Sequence, residues 1–208
     1  MIKSVASAFS LALLGALGSS AIAAPTYFAA RPAFSGQLGA SVTDNYSNPG
    51  YVFIQNNAVM NAVLGETDYR TTGFNDLNIV SGGTYCAGCN GSFELSFTTT
   101  SVGDANGVFG VGLDVLDNSG YFAFVTFGDG STDNVLVTGS FFGLTSPQEV
   151  KSIHFGLTGG GSTQGGVFRI DNLTIGAAGA AVPEPTTTAL LTLALLGLAA
   201  TRRKPAAR

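Results

Sequence analysis

Ser92-Phe93-Glu94-Leu95-Ser96-Phe97-Thr98 is the stretch that decides the fold class. Phe93, Leu95 and Phe97 alternate with Glu94, Ser96 and Thr98, and side chains on a strand point to opposite faces with a period of two. One face therefore enters a core and the other meets water. The same alternation returns at Ile153, Phe155 and Leu157, which places His154 on the outward parity. Between them, Val108–Leu116 and Tyr121–Phe127 read as strands separated by Asp117-Asn118-Ser119-Gly120, whose residue types suit a tight turn. That pair is predicted to be a hairpin. Gly128-Asp129-Gly130 opens another turn before Val135–Val137.

The last strand, Val167–Ile175, carries Phe168 and Ile170 on one parity but Leu173 and Ile175 on the other. A bulge near Asp171-Asn172 reconciles the two. Val59, Met60, Val63 and Leu64 form the one run with helical spacing, so the reading is an all-β domain. Ten phenylalanines lie from Phe93 onward, and that half should supply most of the core. Phe28, Phe34, Tyr51, Phe53, Tyr69 and Phe74 suggest that the first half adds strands to the same sandwich.

Both ends differ from this middle. Lys3, an apolar or small run from Val5 to Leu17 and the small-residue exit Ala21-Ile22-Ala23 fit a removable export signal, residues 1–23, with the mature chain beginning at Ala24. At the other end, Thr186–Thr201 is 16 residues, about 24 Å as a helix against a hydrocarbon core of about 30 Å. It is a marginal transmembrane anchor. Arg202, Arg203 and Lys204 should stay on the cytoplasmic side, leaving Pro183, Glu184 and Pro185 outside. The two prolines lack backbone donors and bias their neighbours toward extended conformations, so this strip is stiff and accessible to a processing enzyme.

Residues 24–181 form one expected domain with four basic and twelve acidic side chains, a net charge of −8. Nucleic acid is an unsuitable partner for such a surface. Cys86-Ala87-Gly88-Cys89 admits three readings. A zinc site lacks ligands, since His154 is the only other soft donor. A redox dithiol lacks its usual helix start. A local disulfide suits an exported chain, and closing so short a loop is worth about 2 kcal/mol.

His154 is the only histidine, and no nucleophile-elbow sequence accompanies it, so a Ser-His-Asp mechanism is not supported. Glu94 stands alone on its strand, without the paired carboxylates of glycoside hydrolysis. No enzyme activity is therefore expected. Asp114, Asp117, Asp129, Asp133 and Asp171 lie near turns, where carboxylates either hold structural calcium or hydrogen-bond their own backbone. No other cofactor is suggested. Sugar binding needs exposed rings and planar polar groups. Tyr46, Tyr51, Tyr69, Tyr85 and Tyr121 are the candidate rings, with burial at strand ends as the competing role.

Val182-Pro183-Glu184-Pro185, the apolar stretch and the basic cluster, in this order, resemble the PEP-CTERM sorting signal. The resemblance implies a membrane protease-transpeptidase, exosortase, as processing partner and a host that makes extracellular polysaccharide. It also implies export, a transient inner-membrane stage through residues 182–208 and a final place at the cell surface. Phe141-Phe142-Gly143-Leu144-Thr145-Ser146 and the closing Phe168-Arg169-Ile170-Asp171-Asn172-Leu173 resemble the domains found in front of such tails. They imply a jelly-roll-like antiparallel β-sandwich similar to non-catalytic carbohydrate-binding modules, with first and last strands adjacent. The expectation is an exported matrix component associated with exopolysaccharide; the alternative is a carbohydrate-recognition module with a defined, calcium-dependent site.

Overall fold

The computed structural model describes residues 24–180. The expected signal helix of residues 1–23 and the sorting tail of residues 182–208 lie outside the described residues. The chain runs through β1 (Thr26–Phe28), α1 (Arg31–Ser35), β2 (Leu38–Asp44), β3 (Ile54–Gln55), α2 (Asn57–Leu64), β4 (Asp68–Thr71), β5 (Asn78–Ser81), β6 (Thr84–Ala87) and β7 (Phe93–Ser96). It continues through β8 (Val108–Asn118), β9 (Phe122–Phe127), β10 (Thr132–Leu136), β11 (Phe141–Gly156) and β12 (Phe168–Ala178). Every strand pairing among the described residues is antiparallel, and the fold is all-β as the alternation predicts.

Hydrogen bonds connect the strands into one continuous sheet that folds over on itself. The switch happens within β11. Its first part, Phe141–Thr145, pairs with β8 and β1, whereas Val150–Gly156 pairs with β9 and, through Ser152–Phe155, with β7. The intervening corner contains Pro147, a register shift after Val150 and Glu149 at φ 60°, features that end regular pairing and let a strand change layers. One layer thus reads β1-β11-β8-β12 with β2 and β6 beside β12. The other reads β10-β9-β11-β7-β4.

An aromatic chain joins the two layers. Tyr121 stacks on Phe168 with centroids 5.1 Å apart, Phe168 on Phe155 at 4.9 Å, and Phe155 meets Phe93 at 5.3 Å. Phe93 then meets Tyr85 at 5.1 Å, and Tyr85 meets Tyr69 at 5.0 Å. Such contacts add to the burial energy of each ring, which is how a chain without tryptophan fills its interior. The Phe-rich half does supply most of this core.

The opposite face of the first layer is covered by α1. Phe34 from this helix is fully buried on β8, where a Cβ on Gly112 would stand 2.5 Å from the Phe34 ring. Gly110 is bounded the same way by Leu38 and Phe34. These glycines are bare because a ring occupies the space. In α2, the side chain of Asn56 accepts from Val59 N–H at 2.8 Å, and Gly65 closes the helix at φ 72°. The predicted helical run is therefore real, with Met60 as its buried face.

Two expectations are corrected. β8 and β9 do not form a hairpin: β8 lies between β11 and β12 in one layer, while β9 lies between β10 and β11 in the other. The turn at Asn118–Gly120 is an arch between layers, held by Asn118 Oδ1 accepting from the Gly120 and Tyr121 amides. Nor are the first and last strands neighbours, since β1 pairs with β11 and it is β2 that pairs with β12. The bulge expected at Asp171-Asn172 is present, with a register shift between Asp171 and Thr174 and Asn172 at φ 48°.

Candidate functional site

The outward parity of the second layer carries two polar rows. One runs across Asn134, Phe124, His154, Glu94 and Arg70, one residue from each of β10, β9, β11, β7 and β4. Its neighbour runs across Thr132, Thr126, Ser152, Ser96 and Asp68. Five strands spaced about 4.8 Å apart give a face about 19 Å wide. At the β4 edge, α2 stands beside the sheet and turns this face into an open groove of about 410 Å³. Its walls include Asn57 and Asn61 from α2, Asp68 and Arg70 from β4, Glu94 from β7 and Lys151 from β11.

The two asparagines are fixed by what their carbonyl oxygens accept. Asn61 Oδ1 takes the Tyr69 amide at 2.7 Å, and Asn57 Oδ1 takes the Asn78 side-chain amide at 2.9 Å and Thr71 N–H at 3.3 Å. Their amide NH2 groups carry no partner among the described residues. They are donors held ready at the groove wall. Glu94 Oε2 accepts from Arg70 Nε at 3.0 Å and also from Arg70 Nη2. His154 Nε2 lies 3.0 Å from Thr72 Oγ1, its ring is 6.0 Å from that of Phe124, and burial holds its pKa below the usual 6.5. It faces outward, as its parity predicts.

Of the tyrosines expected as sugar platforms, Tyr69 alone borders the groove, and it presents almost no surface there. Tyr46, Tyr69, Tyr85 and Tyr121 are 2%, 3%, 0% and 0% exposed, so their ring faces are closed to a ligand. Strand-end burial, the competing reading, describes them. Tyr51 and Tyr69 donate their hydroxyls to Asp44 Oδ2, the latter at 3.0 Å, and Asp44 Oδ1 accepts Tyr46 N–H at 2.9 Å. This buried carboxylate orders three tyrosines at one end of the core.

Burial raises the pKa of all six tyrosines above the usual 10.0, with Asp44 adding to the shift at Tyr46, Tyr51 and Tyr69, and Asp133 at Tyr27. A raised folded pKa means that the stabilisation is fully present below pH 10 and is lost as pH climbs beyond it. In an ultraviolet titration the phenolate band should stay small through pH 10 and then rise together with loss of tertiary structure. Gradual ionisation centred on pH 10 with the fold intact would contradict this packing.

The turn aspartates are dispersed. Asp114 accepts from Arg31 and from Asn172 Nδ2, with Asp171 beside it; Asp117 pairs with Arg169 at 2.7 Å. Asp129 accepts from Ser131 of its own turn, and Asp133 from the Tyr27 hydroxyl at 2.8 Å. Among the described residues, no three His, Cys, Asp or Glu side chains are placed to hold a metal ion together. Cys86 and Cys89 stand at disulfide distance, with Cα atoms 4.6 Å apart, and Phe74 packs over Gly88 and Gly91 beside them.

The strand alternation places Glu94, Ser96 and His154 on an outward face, but it does not assemble the groove. Its walls come from α2, β4, β7 and β11, segments separated by up to about 90 residues whose adjacency no local pattern encodes. The only available signal was the outward alternation itself.

Thr26, Thr145, Gly110 and Gly176 lie side by side on neighbouring strands, so the chain enters and leaves the described domain at one end. Among the described residues, no helix is long and apolar enough to cross a membrane. No curated protein and no solved structure matches the chain. A protein-family model for the PEP-CTERM protein-sorting motif matches residues 181–204, which begin one residue beyond the described domain. The Pro-Glu-Pro strip, the apolar stretch and the basic cluster thus make up one PEP-CTERM sorting motif, and that motif supports an exported protein sorted by exosortase.

Proposed function

We propose that the β domain is a non-catalytic component of an extracellular polysaccharide layer, to which the sorting tail delivers it. The observation that carries this reading is the open groove, walled by oriented amide donors and by carboxylate acceptors, on an exported chain. Sugar hydroxyls both donate and accept, and a groove offering both kinds of group in fixed directions suits them. In this reading the folded-over sheet is a jelly-roll-like sandwich, and its second layer is the face turned to the polysaccharide. A carbohydrate-recognition module with one defined site is the second reading, favoured by the pinned side chains of Asn57 and Asn61.

The test is binding of the exported, processed chain to a broad panel of polysaccharides and oligosaccharides, with calcium and then with EDTA, while released reducing ends are measured. A matrix component binds long polymers and leaves short oligomers and reducing ends unchanged. Saturation by one short oligomer selects the recognition module. Loss of binding in EDTA would return a role to Asp114 and Asp171, and release of reducing ends would replace both readings with a glycan hydrolase.

A further inference from the structure

The described domain has four basic side chains, and three are paired: Arg31 with Asp114, Arg70 with Glu94 and Arg169 with Asp117. Lys151 is the fourth. It is exposed, forms no ion pair among the described residues and lines the groove at the bulge where β11 enters the second layer. In a domain of net charge −8, two of four cations therefore share one groove, and one of them is uncommitted. An uncommitted ammonium beside the unpartnered NH2 groups of Asn57 and Asn61 is a set of donors suited to a carboxylate flanked by hydroxyls. Asp68 and Glu94, on the same walls, supply acceptors for those hydroxyls and repel an anion that lacks them.

We infer that the groove takes an acidic sugar, a hexuronate within a polysaccharide, with Lys151 receiving the carboxylate and Asn57 and Asn61 bonding the neighbouring hydroxyls. The inference rests on the polysaccharide reading above and narrows it to acidic chains. Arg70 is held against Glu94 and shapes the wall; Lys151 confers the charge preference.

The experiment compares polygalacturonate, a neutral glucan of similar chain length and inorganic phosphate as ligands for the exported, processed chain. The same comparison is made for Lys151→Gln, Lys151→Arg and Arg169→Gln. The native chain should bind the acidic polymer about tenfold more tightly than the neutral one, the margin of one charge-assisted contact. That margin should shrink at high salt. Lys151→Gln should erase it and Lys151→Arg retain it, while Arg169→Gln, which removes the same charge elsewhere, leaves it unchanged. Equal binding of acidic and neutral polymers, or an unchanged margin in Lys151→Gln, overturns the inference and leaves the polysaccharide reading standing. Phosphate binding as tightly as the polygalacturonate reduces the groove to a simple anion site and overturns it too. Absence of binding to every glycan overturns both.

Discussion

Replacing Phe155 with alanine is expected to lower the folding stability of the domain by about 3–5 kcal/mol, read as a lowered denaturant midpoint. Phe155 is fully buried in the second layer and touches rings from three other places: Phe93 on β7, Phe142 on the far part of its own strand and Phe168 on β12. Deleting the ring removes its transfer energy and leaves a cavity bounded by side chains from both layers, which a close-packed interior refills only in part. A domain of this size is typically stable by about 5–15 kcal/mol, so the variant should be marginal. Phe53→Ala is the matched control: its ring is 62% exposed, and its loss should move stability by no more than about 0.5 kcal/mol. A cost below 1 kcal/mol at Phe155 would mean that the two layers are not joined through this ring.

The second large effect concerns sorting. Changing Pro183, Glu184 and Pro185 together to alanine is expected to leave export intact and abolish processing, so the chain accumulates at the membrane with its tail attached. Two causes act together. The substitutions remove the matched motif itself, and alanine supplies the two backbone donors that proline lacks. The spacing also matters. Ala178 ends β12 and Pro183 follows five residues later, a reach of no more than about 18 Å, so the processing enzyme works close to the folded domain. Comparing the mass of the native and altered chains in membrane and surface fractions decides the matter: removal of the altered tail at the normal rate would show that Pro-Glu-Pro is dispensable.

Legibility varied along the chain for physical reasons. Alternation at Phe93–Thr98 and Ile153–Leu157 exposed half-buried strands because the period of two is a local property of the backbone. The parity change at Asp171-Asn172 exposed the bulge in the same way, and Val59, Met60, Val63 and Leu64 exposed α2. The supposed hairpin after β8 failed because Asn118-Ser119-Gly120 has turn chemistry that serves an arch as well as a hairpin. Turn residues state that the chain reverses. They do not state which strand it then meets. Tyr46, Tyr69, Tyr85 and Tyr121 went to the core for a related reason: aromatic residues suit both a core and a binding face, and here the Asp44 carboxylate ties Tyr46 and Tyr69 inward while Tyr85 bonds Asn78.

The all-β class, the outward side of the clearest strands and the sorting tail are each legible in a short contiguous stretch of residues. Tertiary structure alone decided which strands share a layer, that β11 serves both layers, and that Asn57, Asn61, Glu94 and Lys151 meet in one groove. These depend on contacts between residues far apart in the chain, chosen by how all the buried side chains pack at once rather than by any local preference.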